Sequence, residues 1–460
     1  MTPVDRSRLP DVGADPAFRL PAIVRHALPG GLHLRAVEHH AAPVVTFVLL
    51  VDGGVGADPA GGEGLAALTA DMVDEGTGAM SALDVSDALA RVGAEYDAEV
   101  GADATMFTLT TLARFADRAA ALLAAMVTRP SLREADVERV RRLRLDRLRQ
   151  LKDVPQAVAE RAFLRLLYAG HPYGHTSIGG AESLRALSQA DIEWFHRTAY
   201  RPSRATLVIA GGLPESDMAR IAEAAFGDWS EVPVSGGRPL VVAASVDPPA
   251  APSARLAIVP REGAAQSELR IGHLSAARTS PDYTPLLVMN AVMGGQFVSR
   301  VNLKLREEKG YTYGARTGFD WRRGPSPFVL QTSVHTSATA DAVRDGLDEL
   351  RAIRESRPPT ADELALARAS LTRGYPRNFE TAPQVARSVA QMALFDLPDR
   401  YFEEFVPNVH AVTGDDVSRV ARLYIDPARL ATLIVGDRIA IGESLAELGL
   451  GDPAVLAADA

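Results

Sequence analysis

Arg306 and Tyr313 lie close together in the segment MNAVMGGQFVSRVNLKLREEKGYTYGARTGFD (289–320). A guanidinium and a phenol are both hydrogen-bond donors. Held together, they suit a peptide carbonyl or the oxyanion that forms when it is attacked. Spacing alone leaves a packing role open for both. Other residues offer chemistry of a different kind. His39 and His40 (VEHHAAPVV) sit between a strand end and a proline-containing turn; neighbours on a strand point to opposite faces, which makes them poor ligands for one metal. His171, in AGHPYGHTSIGG (169–180), precedes Pro172, Tyr173 and His175 and reads as part of an ordered loop that packs rather than catalyses. Asp71, Asp74 and Glu75 supply metal-compatible oxygens, but no histidine stands at helical spacing from them, so a helix-end surface patch accounts for them. The run VERVRRLRLDRLRQLKD (137–153) carries Arg139, Arg141, Arg142, Arg144, Arg147 and Arg149 around a partly apolar face. It is read as a solvated helix, with a basic wall toward a substrate or partner as the alternative.

The elements that hold these residues appear twice. SQADIEWFHRTAYRPSRATLVIAGG (188–212) has a counterpart in TGDDVSRVARLYIDPARLATLIVGD (413–437). Each runs from a Ser or Thr N-cap through an amphipathic helix and a proline-containing turn to a β-rich run ending at or just before a glycine. VVTFVLLVDGG (44–54), with a helix near 64–75, is matched by SELRIGHLSAAR (267–278), with a helix near 283–294. The stretch 83–114 predicts a helix and then two alternating strands. In the 289–320 segment, Gly294 and Gly295 end one helix, a second runs from about Val298 to Gly310 with Arg306 near its end, and Tyr313 falls on the strand that follows. The expected fold is α+β: two homologous domains from an internal duplication, each an α/β-sandwich-like unit with a mixed or antiparallel sheet and helices packed on it. The domains span 20–230 and 254–445, joined by a Gly/Pro/Ala-rich linker at 231–253 and followed by a loose tail.

Composition narrows the partners. With 460 residues and 47% hydrophobic content, the chain is globular and exceeds a single core. A net charge of −9 speaks against nucleic acid, which needs a basic face. The absence of cysteine excludes disulfides, thiolate metal sites and a cysteine nucleophile. No stretch approaches the roughly 18 apolar residues that span a membrane, and the N-terminal MTPVDRSRLPDVGADPAF lacks the apolar core of a secretory signal. A cytoplasmic protein without a membrane partner is expected, or a periplasmic one if a leader has been trimmed away.

Over roughly 25–440, the chain resembles the pitrilysin/insulinase family of zinc metallopeptidases in its short, two-domain, processing-peptidase-like branch. The resemblance rests on VVTFVLLVDGG, the helix GLAALTADMVDEGT (64–77), HPYG, the linker and GGQFVSR…LREEKGYTYGA, the last being the most specific. Active members carry H-x-x-E-H, in which two histidines bind zinc and the glutamate activates its water, with a further glutamate downstream as third ligand. Aligned on Gly76 and Thr77, these positions are Ala67, Ala70 and Asp71 here; counting back from DVP puts the third ligand at Arg147. The resemblance therefore implies a degenerate zinc site, no metal or other cofactor in this chain and no activity by itself. It also implies that Arg306 and Tyr313 correspond to the family's pair that binds the substrate and polarises its scissile carbonyl. Within this branch two subunits enclose the substrate, and one can hold the zinc while the other keeps only the Arg/Tyr pair.

The implied function is that of the non-zinc-binding subunit of a heterodimeric metalloendopeptidase. A homologous zinc-bearing subunit would be its partner and extended peptides its substrates, held along an exposed strand edge. The alternative is a non-catalytic structural or peptide-binding homologue, similar to the core proteins of respiratory cytochrome complexes.

Overall fold

The structure, a computed structural model, describes residues 19–231 and 239–458 together with Ser7 and Gly13. Residues 232–238 of the expected linker lie outside the described residues. The apolar run Val44–Val51 forms the strand its composition predicts, buried almost throughout. It pairs antiparallel with Thr105–Leu112 on one side and Ala205–Gly211 on the other. The complete first sheet has the order Ile23–Ala27, His33–Glu38, Ala205–Gly211, Val44–Val51, Thr105–Leu112, Glu95–Val100.

The second sheet repeats this plan. Gln266–Leu274 occupies the place of Val44–Val51, flanked by antiparallel Pro327–His335 and Ala431–Gly436. Ala315–Phe319 stands where Glu95–Val100 stands in the first sheet, and Leu256–Pro260 runs parallel to Ala431–Gly436 as His33–Glu38 does to Ala205–Gly211. The paired helices Gln189–Ala199 and Gly414–Tyr424 both open with a full capping box, Ser188 with Asp191 and Thr413 with Asp416. The architecture is thus mixed α/β, two sheet-plus-helix halves of equivalent topology. Only the last strand departs: Ala454–Val455 adds parallel to Leu256–Pro260, so the second sheet reaches beyond the expected boundary at 445. A two-residue strand carries no periodic signal that sequence could reveal.

The halves are interlocked by exchanged helices. Ala382–Leu394 packs on the first sheet against Val44–Val51 and Ala205–Gly211, while Pro155–Tyr168 packs on the second against Gln266–Leu274 and Ala431–Gly436. Val48 and Leu50 join Val385 and Val389 in one core, whereas Phe47 and Leu49 face Leu65, Leu68 and Leu123 of their own half. With both faces covered, the central strands read as continuous apolar runs rather than alternating ones. Among the described residues no helix is long and apolar enough to cross a membrane.

Two expectations in the 289–320 segment need correction. The helix expected at 298–310 begins at Arg300 and passes at Leu303 into a π-helical turn that lasts to Glu308, before Gly310 takes a left-handed conformation. Tyr313 lies in a bend two residues before the strand Ala315–Phe319, not on it.

Candidate functional site

The helix Leu65–Asp71 is short because Gly64, in a left-handed conformation, opens it and the chain turns after Met72. The buried carboxylate of Asp58 accepts the amides of Gly64 (2.7 Å) and Ala66 (2.6 Å) and fixes its start. Burial pushes the Asp58 carboxyl up to about 7 against the opposing pull of those two amides. The helix is thereby seated beneath a cleft of about 490 Å³. The cleft is walled by Ala70, Asp71 and Asp74, by Tyr96 and Asp97 of the strand Glu95–Val100, and by Arg144 and Arg147 of the helix Glu134–Leu151.

Of the four positions of the expected degenerate metal site, Ala67 and Ala70 are buried methyl groups with no donor atom. The Asp71 carboxylate is committed to Arg144, whose Nη1 donates to Oδ2 at 2.6 Å while Nη2 donates to the Ser177 carbonyl at 2.6 Å. Arg147 is exposed and donates to Gln150 at 3.3 Å. A zinc ion needs about four lone-pair donors converging on one point. Here a single carboxylate, already neutralised by a guanidinium, stands beside two methyls and a second permanent cation, so the residues do not fit the metal. Among the described residues no three His, Cys, Asp or Glu side chains converge on a common point. Glu75 is held by Arg139. Asp74 is pushed up to about 6, chiefly by burial, with the charges of Glu75 and Asp71 adding to the shift.

His171 is held by packing and hydrogen bonds. His171 stacks on Tyr168, its Nδ1 accepts the Tyr173 amide at 3.0 Å, and its Nε2 therefore carries the proton donated to the Val246 carbonyl at 2.9 Å. His39 follows the end of its strand, and His40 bonds Glu38 at 3.1 Å.

In the second half, the guanidinium of Arg306 stacks over the ring of Phe297, 4.4 Å from its centroid. Phe297 and Gly314 border a groove of about 760 Å³ between the start of the helix Pro155–Tyr168 and the second sheet. Tyr313 is 87% exposed, and no hydrogen bond or ring contact joins it to Arg306 among the described residues. Arg306 is half-buried, with its Nε 3.4 Å from a Glu307 carboxylate oxygen, whereas Tyr313 stands out in solvent. The segment that carries them is anchored by Arg300, which forms a bidentate pair with Glu363 (2.7 Å for each bond) and donates to the Arg357 and Pro358 carbonyls.

The two corresponding sheet edges differ. The outward amides of Ala315 and Thr317 are taken by Asn302 Oδ1 (3.0 Å) and the Gly294 carbonyl (3.2 Å), which closes the second sheet to an added strand. Glu95–Val100 pairs only with Thr105–Leu112, and among the described residues its outer edge stays open along the cleft. Sequence reading did not single out this edge, or Arg144 as the partner of Asp71. The alternating EYDAEV pattern was a usable signal for the edge, since its residues are exposed and half-buried in turn.

Comparison with known proteins agrees with this architecture. A family model described as insulinase (peptidase family M16) matches residues 35–180, and one described as peptidase M16 inactive domain matches residues 186–371. An uncharacterized zinc protease of Mycobacterium tuberculosis is 27% identical over 416 residues, spanning 89% of this chain and 92% of its own. The mitochondrial-processing peptidase subunit beta of Blastocladiella emersonii is 23% identical over 435 residues, spanning 89% and 87%. Among solved structures, a peptidase M16 inactive domain from Pseudomonas fluorescens superposes with a TM-score of 0.82 at 23% identity, covering 90% of this chain and 98% of that one. A protease from Helicobacter pylori gives 0.83 at 19% identity, covering 90% and 100%. At these identities the structural likeness speaks for the fold alone. The two family models follow one another along the chain and meet the duplicated halves described above: the chain belongs to the pitrilysin/insulinase (M16) peptidase family and carries its inactive-type domain.

Proposed function

We propose that this chain is the zinc-less subunit of a heterodimeric peptidase, working with a homologous subunit that bears the zinc. In this reading the partner supplies the metal and its activated water. This chain supplies half of the enclosing wall, an open strand edge at Glu95–Val100 that takes up an extended peptide, and the donors of Arg306 and Tyr313, which bind the scissile carbonyl and its oxyanion in trans. One observation carries the reading. Tyr313 is an aromatic side chain left 87% exposed in the turn that follows the Arg306 helix, so it serves no packing purpose within its own chain. A residue retained only for packing would be covered. The similarity to mitochondrial-processing peptidase beta subunits, which are named as subunits, supports a paired state.

The test is reconstitution with the zinc-bearing homologue and measurement of peptide hydrolysis for wild type, Arg306→Ala and Tyr313→Phe. Loss of one oxyanion donor lowers kcat by about 10²–10³. Because Tyr313 is exposed, melting of the isolated Tyr313→Phe variant stays within about 0.5 kcal/mol of wild type, while Arg306→Ala also loses its stacking on Phe297 and costs about 0.5–1 kcal/mol. Full activity of both mutant pairs would sink the reading and favour a purely structural subunit.

A further inference from the structure

Among the described residues, Arg278 is a buried cation without a counter-ion. It is 7% exposed and follows the strand Gln266–Leu274. Its Nη2 donates to the Tyr401 hydroxyl at 2.8 Å, and its guanidinium lies 3.4 Å from the centroid of the Tyr283 ring and 5.1 Å from that of Tyr401. Among the described residues no carboxylate stands at ion-pair distance from it. Burying a guanidinium is costly unless an anion compensates it, and aromatic faces return only part of that cost.

Arg278 faces a cavity of about 440 Å³ where the loop at 101–104 of the first half meets helices of the second. Tyr283, Trp321, Phe395, Tyr401 and Phe402 give the cavity an aromatic lining. Glu99 and Gln391, both exposed, flank its mouth. The carboxylates on its wall are already engaged. Asp320 is held by Arg322 at 2.6 Å, Asp103 accepts from the Tyr173 hydroxyl and the Arg323 amide (2.9 Å), and Glu99 pairs with Arg387 at 3.2 Å. Asp103 is held by neutral donors, and Arg278 is the one cation of the lining, with no carboxylate at ion-pair distance among the described residues.

We propose that this interdomain cavity is a binding site for a carboxylate borne on an apolar body, with Arg278 as the anion-binding residue and the aromatic rings as the pocket for the body. The volume suits a ligand of one or two residues, and charge, shape and lining fit together as small-molecule sites do. The same chemistry is offered by a free aromatic or aliphatic acid and by the C-terminal apolar residue of a peptide. The site is distinct from Arg306 and Tyr313, and only Glu99 at its mouth belongs to a segment assigned above, the strand Glu95–Val100.

Calorimetric titration of the full chain with three probes tests it: 3-phenylpropionate for the free acid, N-acetylphenylalanine for a peptide C-terminus, and N-acetylphenylalaninamide as the uncharged control. Both carboxylates are expected to bind one per chain, with the amide at least roughly tenfold weaker, the loss of a charge-assisted hydrogen bond. Whichever acid binds more tightly identifies the source. Arg278→Met and Ser388→Trp, the second filling the half-buried wall while leaving Arg278 in place, are each expected to weaken the acids by about tenfold or more. If Arg278→Met does not fold, Ser388→Trp and the amide control still decide. Equal binding of acid and amide, no binding of either acid, or full binding by both variants overturns the proposal.

Discussion

Replacing Asp71 by Ala tests whether its pair with Arg144 is a structural joint. The Arg144 guanidinium is 11% exposed; among the described residues its acceptors are Asp71 and the Ser177 carbonyl, and its Nε is buried without a partner. Asp71→Ala leaves that cation with a single carbonyl. Breaking a fully buried pair costs about 3–5 kcal/mol. The Asp71 carboxylate is 41% exposed, so water takes part of its place and the expected cost falls to about 1–3 kcal/mol. Urea unfolding of wild type, Asp71→Ala, Arg144→Met and the double variant gives the coupling, expected at about 1–2 kcal/mol because removing both charges relieves the orphaned cation. Additivity to within about 0.3 kcal/mol would refute the joint. In the reconstituted pair, Asp71→Ala should leave peptide hydrolysis within about twofold, since a joint reshapes stability rather than transition-state contacts. A tenfold or greater fall in kcat would assign Asp71 a chemical role that its geometry denies.

Two further outcomes follow from the packing. Burial works against the Glu363 carboxyl, yet the Arg300 guanidinium and the Thr360 amide hold its pKa down to about 2 from 4.5. A depressed carboxyl stabilises the fold above its unfolded pKa and loses that contribution as pH falls through the folded one. Acid titration of wild type should therefore lose about 1–2 kcal/mol between about pH 5 and pH 2, the figure allowing for a carboxylate one-third exposed, and Glu363→Gln should flatten that slope by the same amount. An unchanged slope counts against the anchor. Val389→Ala in the exchanged helix Ala382–Leu394 removes methyls packed on Val48 and Leu50 and should cost about 1–3 kcal/mol in a single transition shared by both halves. Selective loss of one half's transition would show that the halves are not interlocked.

Much of the fold was legible because its signals are local. Ser188 and Thr413 announced their N-caps, and the apolar run at 44–51 announced a strand. What covers that strand was not legible, because Ala382–Leu394 arrives from the other half and a periodic pattern does not say which sheet a helix meets. The lack of donor atoms at Ala67 and Ala70 was readable from residue type. Which arginine neutralises Asp71 was not: it depends on the crossing of Leu65–Asp71 over Glu134–Leu151, which brings Arg144 rather than Arg147 to the carboxylate. Tyr313 was misplaced by two residues because Thr312 and Gly314 make a tight turn through side-chain bonds that carry no periodicity. The uncompensated Arg278 is visible only in three dimensions, since Tyr283 and Tyr401 reach it from separate helices.

The central claim, a subunit that lacks its own metal chemistry and completes another's, is tested most directly by one titration. The zinc-bearing homologue is held at fixed concentration while this chain is added, and hydrolysis of an extended peptide is followed. The account predicts no hydrolysis by this chain alone and activity that rises to a plateau at one chain per partner. Hydrolysis by the isolated chain, or a partner whose rate is indifferent to its addition, contradicts it.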